Sequence, residues 1–116
     1  MTDKQMYPTA TRELGAKRTA LAPKAEAAFR ALNEAVFADG ALLAKTKQLI
    51  AVAAAHVTQC PYCIRGHTRA ALRAGATREE LMEAIWVAAE MRAGAAYAHS
   101  ALALDAMDEF DKRSAA

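Results

Sequence analysis

Helix punctuation constrains this chain more than any other feature. Pro23, Gly40, Pro61, Gly75 and the Thr77/Glu80 pair cut it into helix-sized lengths, and glycine and proline are otherwise scarce, 5 and 3 in 116 residues. Proline at the first position of a helix gives up an N–H that has no intrahelical partner there. Glycine just past the end takes the left-handed backbone that closes the last turn. Alanine fills much of the sequence between these signals at little entropic cost. The chain is therefore predicted to be all-α, a bundle of five to six helices with short connections.

Residues 1–20 read as an N-terminal leader, anchored at Leu14 and Thr19-Ala20-Leu21, and residues 21–116 as one helical domain. A chain of this length supports one modest core. The first helix is expected from Pro23 to about Asp39, with Ala27, Ala28, Ala31, Leu32 and Ala35 as its apolar stripe and Gly40 as its stop. The second, from Leu42 or Ala44 to about Val57, is apolar on most sides and suits a core or a subunit contact. The third runs from Pro61 to Ala74. The fourth starts at the Thr77/Glu80 capping box and buries Leu81, Ile85, Trp86, Ala88 and Ala89. A bend or close packing is expected near Gly94, then a last helix to about Phe110 packed through Leu102, Leu104 and Met107, with a frayed tail. Trp86 and Tyr97 read as core aromatics, and His99 as packed with one hydrogen bond. Alanine buries little area, so such a core needs close helix approach or burial between subunits, and an oligomer is expected.

The net charge is +2, which gives no reason to expect a nucleic-acid partner. No stretch is long and apolar enough for a membrane span. Met1 to Thr11 has no signal-peptide core, so a cytoplasmic protein is expected. The charges are segregated: no acid lies between Asp39 and Glu79, while Lys45, Lys47, Arg65, Arg69, Arg73 and Arg78 do. This is either a solvated helix face or a positive surround that stabilises a thiolate.

The chemistry concentrates at Cys60-Pro61-Tyr62-Cys63 and His67. At about 100° per residue the two sulfurs and the imidazole fall within about 60° of one another round a helix. A helix N-terminus and cations lower a thiol's pKa and favour the nucleophilic thiolate. Histidine takes and returns the thiol proton, and a second thiol three residues away closes a disulfide before overoxidation. In a reducing compartment such a pair is catalytic or metal-binding rather than a structural staple. The alternatives are inert core thiols, or a zinc site drawing on His67 and His56. His56 either caps the second helix or lines the thiol site. Tyr62 points off the cysteine face.

Lys45-Thr46-Lys47-Gln48-Leu49-Ile50, His56-Val57-Thr58-Gln59 with the cysteine motif, Gly66-His67-Thr68 and Ala74-Gly75-Ala76-Thr77 together resemble the AhpD-like alkylhydroperoxidase and carboxymuconolactone decarboxylase superfamily, over about Ala44 to Ser100. The resemblance implies an all-α, AhpD-like helical bundle assembled as a homo-oligomer, usually a trimer or hexamer. It also implies reduction of a hydroperoxide substrate by the cysteine pair, recharged by a dithiol electron donor, with no cofactor or metal. Carried over residue by residue, Cys63 is the peroxide-attacking thiol, Cys60 the resolving thiol and His67 the relay histidine. The relay glutamate position holds Gln48, twelve before Cys60, and the position before the second cysteine, a histidine in the best-known peroxidases, holds Tyr62. An amide orients an imidazole but accepts no proton as a carboxylate does. The decarboxylase branch lacks the cysteine pair, so the resemblance points to the peroxidase branch. The competing reading is a non-catalytic oligomeric helical module that uses the pair as a redox sensor or zinc site.

Overall fold

Proline, alanine and glycine set the helix limits largely where the sequence places them. The computed structural model describes residues 6–115, and among these there are five α-helices and no strand: α1 (Arg12–Leu21), α2 (Pro23–Phe37), α3 (Ala44–Thr58), α4 (Pro61–Arg73) and α5 (Arg78–Ala115). No helix is long and apolar enough to cross a membrane. The chain forms two units that divide between Ala44 and Lys45.

The first unit holds α1 and α2. The segment read as a leader is helical from Arg12, with Thr11 Oγ1 accepting the Leu14 N–H at 3.3 Å; its first five residues lie outside the described range. Pro23 opens α2 as expected. The helix ends at Phe37, earlier than the predicted Asp39, and Gly40 does not close it. Ala38 turns extended (φ −66°, ψ 152°), and Asp39 Oδ1 accepts the Ala44 N–H at 2.7 Å, at the start of α3. Asp39 is thus engaged at the start of the next helix and not within α2. Arg30 ties α2 to α1 by donating to Thr19 Oγ1 at 3.4 Å. The alanine stripe of α2 has no buried member.

The second unit holds α3, α4 and α5. Its core is Val52, Ala71, Ala76 and Leu81, with Leu49 and Ile85 packed against it; Ala55 and Ala88 are buried as well. Alanine at these contacts lets the helix axes approach closely, and Val52 and Ala71 are fully buried. Ala71→Leu would have no room, and overpacking of that kind costs about 1–3 kcal/mol. At the end of α4 Gly75 takes φ 96°. The Ala76 N–H reaches Ala71 O at 2.9 Å and the Gly75 N–H reaches Leu72 O at 3.0 Å, the bond pattern of a left-handed glycine stop. The capping box is formed: Thr77 Oγ1 accepts the Glu80 N–H at 3.0 Å and Glu80 Oε1 accepts the Thr77 N–H at 2.9 Å.

Glu80 also reaches across to α3, with Lys45 Nζ 2.9 Å from its other oxygen. The bond to Lys45, then that to the Thr77 backbone, hold its carboxyl below the usual glutamate range against a weaker opposing effect of burial. A depressed carboxyl contributes stability above its unfolded pKa and loses it as pH falls through the folded one. Glu80→Gln is expected to lower the melting temperature at neutral pH by a small amount, because the pair is exposed and screened. That difference should close as pH falls below about 4.3. A gap that persists in acid would show that the amide disturbs the cap rather than the charge.

The last part of the chain departs from expectation. Instead of two helices bent near Gly94, α5 is one helix of 38 residues reaching Ala115. A single glycine costs a helix only about 1 kcal/mol, and Ala93, Ala95 and Ala96 flank it. At 1.5 Å per residue, 38 residues span about 57 Å, against about 22 Å for α3 and about 20 Å for α4. The far half of α5 therefore outruns the helices it packs on. Trp86 and Tyr97, expected in the core, are 66 % and 82 % exposed, and Ala89 and His99 are exposed too. Leu102, Leu104, Met107 and Phe110 are likewise exposed.

Candidate active site

The thiol pair sits where α3 hands over to α4. Helix α3 stops on Gln59, which has φ 58° and is the one non-glycine residue with positive φ among those described. The Cys60 N–H then reaches back to Ala55 O at 3.2 Å. Cys60, already part of that stop, is at once the N-cap of α4: its backbone is extended (φ −100°, ψ 104°) and its Sγ accepts the Cys63 N–H at 3.2 Å. Pro61 follows as the first helical residue. Two residues thus separate the helices, Gln59 in left-handed conformation and Cys60 as the extended cap. A left-handed glutamine is strained by roughly 1 kcal/mol, so the turn is held by the helices on either side. The signal for it was weak, because glutamine seldom adopts that conformation.

Cys60 and Cys63 are joined as a disulfide, Cα to Cα 5.2 Å, and both are half-buried. The pair lies at the positive end of the α4 dipole, which favours a thiolate when the bond is open. One turn further on, His67 is half-buried, and its Nδ1–H donates to Gln48 Oε1 of α3 at 2.7 Å. A neutral imidazole with hydrogen on Nδ1 carries its lone pair on Nε2. The structure thus brings Gln48 and His67 together across the α3/α4 contact, although they are nineteen residues apart.

His56 donates from Nδ1 to Val52 O of its own helix at 2.8 Å. Tyr62 is 39 % exposed. The cationic surround is only partly formed. Lys45 is ion-paired with Glu80. Arg65, Arg69 and Arg73 are exposed and stand roughly 100–180° round α4 from the Cys63/His67 line. Charge segregation in the sequence does not say which face of a helix carries the charge. Among the described residues no three His, Cys, Asp or Glu side chains gather as a metal-binding group.

A family model described as the carboxymuconolactone decarboxylase family matches residues 23–106, most of the chain and all of the thiol site. The chain belongs to the carboxymuconolactone decarboxylase family. A relative from Paracoccus denitrificans, named uncharacterized protein 4 in cox locus, is 70 % identical over 84 residues, 72 % of this chain and 76 % of the relative. Among solved structures, a family member from Legionella pneumophila in its apo form has 40 % identity and a TM-score of 0.67, covering 85 % of this chain and 88 % of that one. A family member from Thermotoga maritima, described with a suggested involvement in the antioxidative response, has 29 % identity and a TM-score of 0.53, covering 91 % and 97 %. The helical fold of the family is thus the fold of this chain.

Proposed function

We propose that this member of the carboxymuconolactone decarboxylase family is a thiol-dependent peroxidase, alkylhydroperoxidase-like, that reduces hydroperoxides through Cys63 and Cys60. The observation that carries the reading is the redox-paired CxxC at a helix start with His67 one turn beyond it, oriented by Gln48. The relative with a suggested antioxidative involvement supports it.

In the reduced protein His67 Nε2 takes the Cys63 proton. The Cys63 thiolate then attacks the hydroperoxide, ROOH, on the oxygen bearing hydrogen. The O–O bond breaks, Cys63 becomes a sulfenic acid, and the leaving alkoxide takes a proton from His67 to give ROH. Cys60 attacks the Cys63 sulfur, the disulfide forms and water leaves. An external dithiol reduces the disulfide by exchange and is itself oxidised to a disulfide. Each turnover consumes one hydroperoxide and one dithiol and yields one alcohol, one water and one donor disulfide. The histidine acts as base and then acid, while the Gln48 oxygen keeps its Nδ1–H in place. The protein would work in the cytoplasm, where dithiols are kept reduced, as a homo-oligomer, a trimer or hexamer.

The test is turnover of purified full-length protein with hydrogen peroxide and organic hydroperoxides in the presence of a dithiol reductant. Expected are loss of both thiols on oxidant alone, and equal consumption of hydroperoxide and dithiol over many cycles. A single oxidation with no turnover under any dithiol would reject the enzyme and leave a redox sensor. Two free thiols after peroxide treatment would reject both.

A further inference from the structure

The outer face of α4 and the far half of α5 carry opposite charges that no ion pair among the described residues answers. On α4, Arg65, Arg69 and Arg73 stand at i, i+4 and i+8 and are exposed, with Leu72 beside them exposed as well. Like charges at that spacing destabilise an isolated helix. On α5, Asp105, Asp108 and Glu109 are exposed on one face, flanked by exposed Leu102 and Leu104. Among the described residues the ion pairs are Arg30–Glu26 and Lys45–Glu80. Neither the three arginines nor the three acids take part; Lys112 shares the face of the three acids, one turn past Asp108, and is not paired with an acid either, which leaves that face with a net negative charge.

The far half of α5 also lacks a core. Every residue from 95 to 115 is exposed, yet Tyr97, Leu102, Leu104, Met107 and Phe110 all lie in that stretch. A lone helix of that length is marginal in water, and one apolar round most of its circumference belongs in a contact. The occupant is indicated by charge. Asp105 and Glu109 are spaced i, i+4, about 6 Å along the axis, the same repeat as Arg65 to Arg69 and Arg69 to Arg73.

We propose that the far half of α5 of one copy docks on the Arg65/Arg69/Arg73 face of α4 in a second copy of this chain. Each copy carries both halves of the contact, so the pairing closes either reciprocally about a two-fold axis or head to tail round a ring. The docked face of α4 lies roughly 100–180° round that helix from Cys63 and His67, so assembly does not bury the thiol pair. The inference rests on the assembly given under the proposed function and is independent of the peroxidase chemistry.

The test is sedimentation velocity of the full chain at low and high salt. Three variants are compared: Arg65→Glu with Arg69→Glu, Asp105→Arg with Glu109→Arg, and a chain carrying all four substitutions. Wild-type association should weaken as salt rises. Each paired reversal should weaken it by at least about tenfold, a modest effect for opposed charges placed in a contact. The four-fold swap restores complementarity and should assemble like the wild type. Helicity by circular dichroism confirms that each variant folds; if a reversal does not, Arg69→Gln and Asp105→Asn repeat the comparison. A monomeric wild type overturns both this pairing and the assembly. An oligomer indifferent to the reversals overturns the pairing alone, as does a four-fold swap that stays dissociated.

Discussion

Cys63→Ser is expected to bring hydroperoxide consumption down to the uncatalysed level, whereas Cys60→Ser should permit one rapid oxidation per chain and then stall at the sulfenic acid. The asymmetry follows from position. Both sulfurs lie at the start of α4, but Cys60 is the N-cap and its Sγ accepts the Cys63 N–H, while Cys63 lies within the first turn, one turn before His67. Cys63 thus has the helix dipole behind it and an imidazole on its own helix face. A serine hydroxyl in its place is far too weak an acid to ionise there. With Cys60 replaced, attack on the peroxide is intact but nothing in the chain resolves the product. The measurement is trapping of sulfenic acid by a selective carbon nucleophile, read by mass, with hydroperoxide consumption followed in parallel. If Cys60 is instead oxidised at the wild-type rate in Cys63→Ser, the two roles are reversed.

His67→Ala should slow oxidation of Cys63 by about 10²-fold or more, the range of a lost acid–base group. Gln48→Ala should cost much less, about fivefold, the kinetic equivalent of one side-chain hydrogen bond of about 1 kcal/mol. The reason is chemical. An amide oxygen 2.7 Å from Nδ1 fixes the ring and its tautomer but cannot accept the proton. Gln48→Glu places a carboxylate where the resemblance puts the relay acid, and it should raise the rate if the relay lacks only charge. The second-order rate of Cys63 oxidation between about pH 5 and 9, across the range in which histidine and thiol titrate, separates the variants. Equal damage from Gln48→Ala and His67→Ala would make the amide an essential part of the relay and overturn this division of labour.

The site was legible in the sequence to the extent that it is local. The CxxC spacing, Pro61 and His67 lie within one helix, where 3.6-residue periodicity fixes which side chains share a face. The resemblance singled out Gln48, but its bond to His67 spans two helices, and no periodicity argument within α3 or α4 joins them. The arginines show the limit of clustering. Their run in the sequence left open a solvated helix face or a cationic surround for the thiols, and Arg65, Arg69 and Arg73 are exposed on the side of α4 away from the pair.

The helix limits divide along the same line. Pro23, Pro61, Gly75 and the Thr77/Glu80 box act through backbone geometry and bonds to near neighbours, so the sequence by itself determined those ends, the all-helical fold and the thiol face. Gly40 carried the same signal as Gly75, yet α2 stops at Phe37 and Asp39 is engaged at the start of α3. Only the tertiary structure decided that α5 runs unbroken past Gly94, that Trp86 and Tyr97 are exposed, and that Val52 and Ala71 are the fully buried centre. Burial depends on whether another element reaches a residue: α3 and α4 are too short to reach Tyr97 and the rest of the far half of a 38-residue helix, while Trp86, in the near half, stands about 140° round α5 from buried Leu81. Apolar periodicity marks the faces that seek a partner; the lengths and placement of the neighbouring helices determine which of those faces find one within the chain.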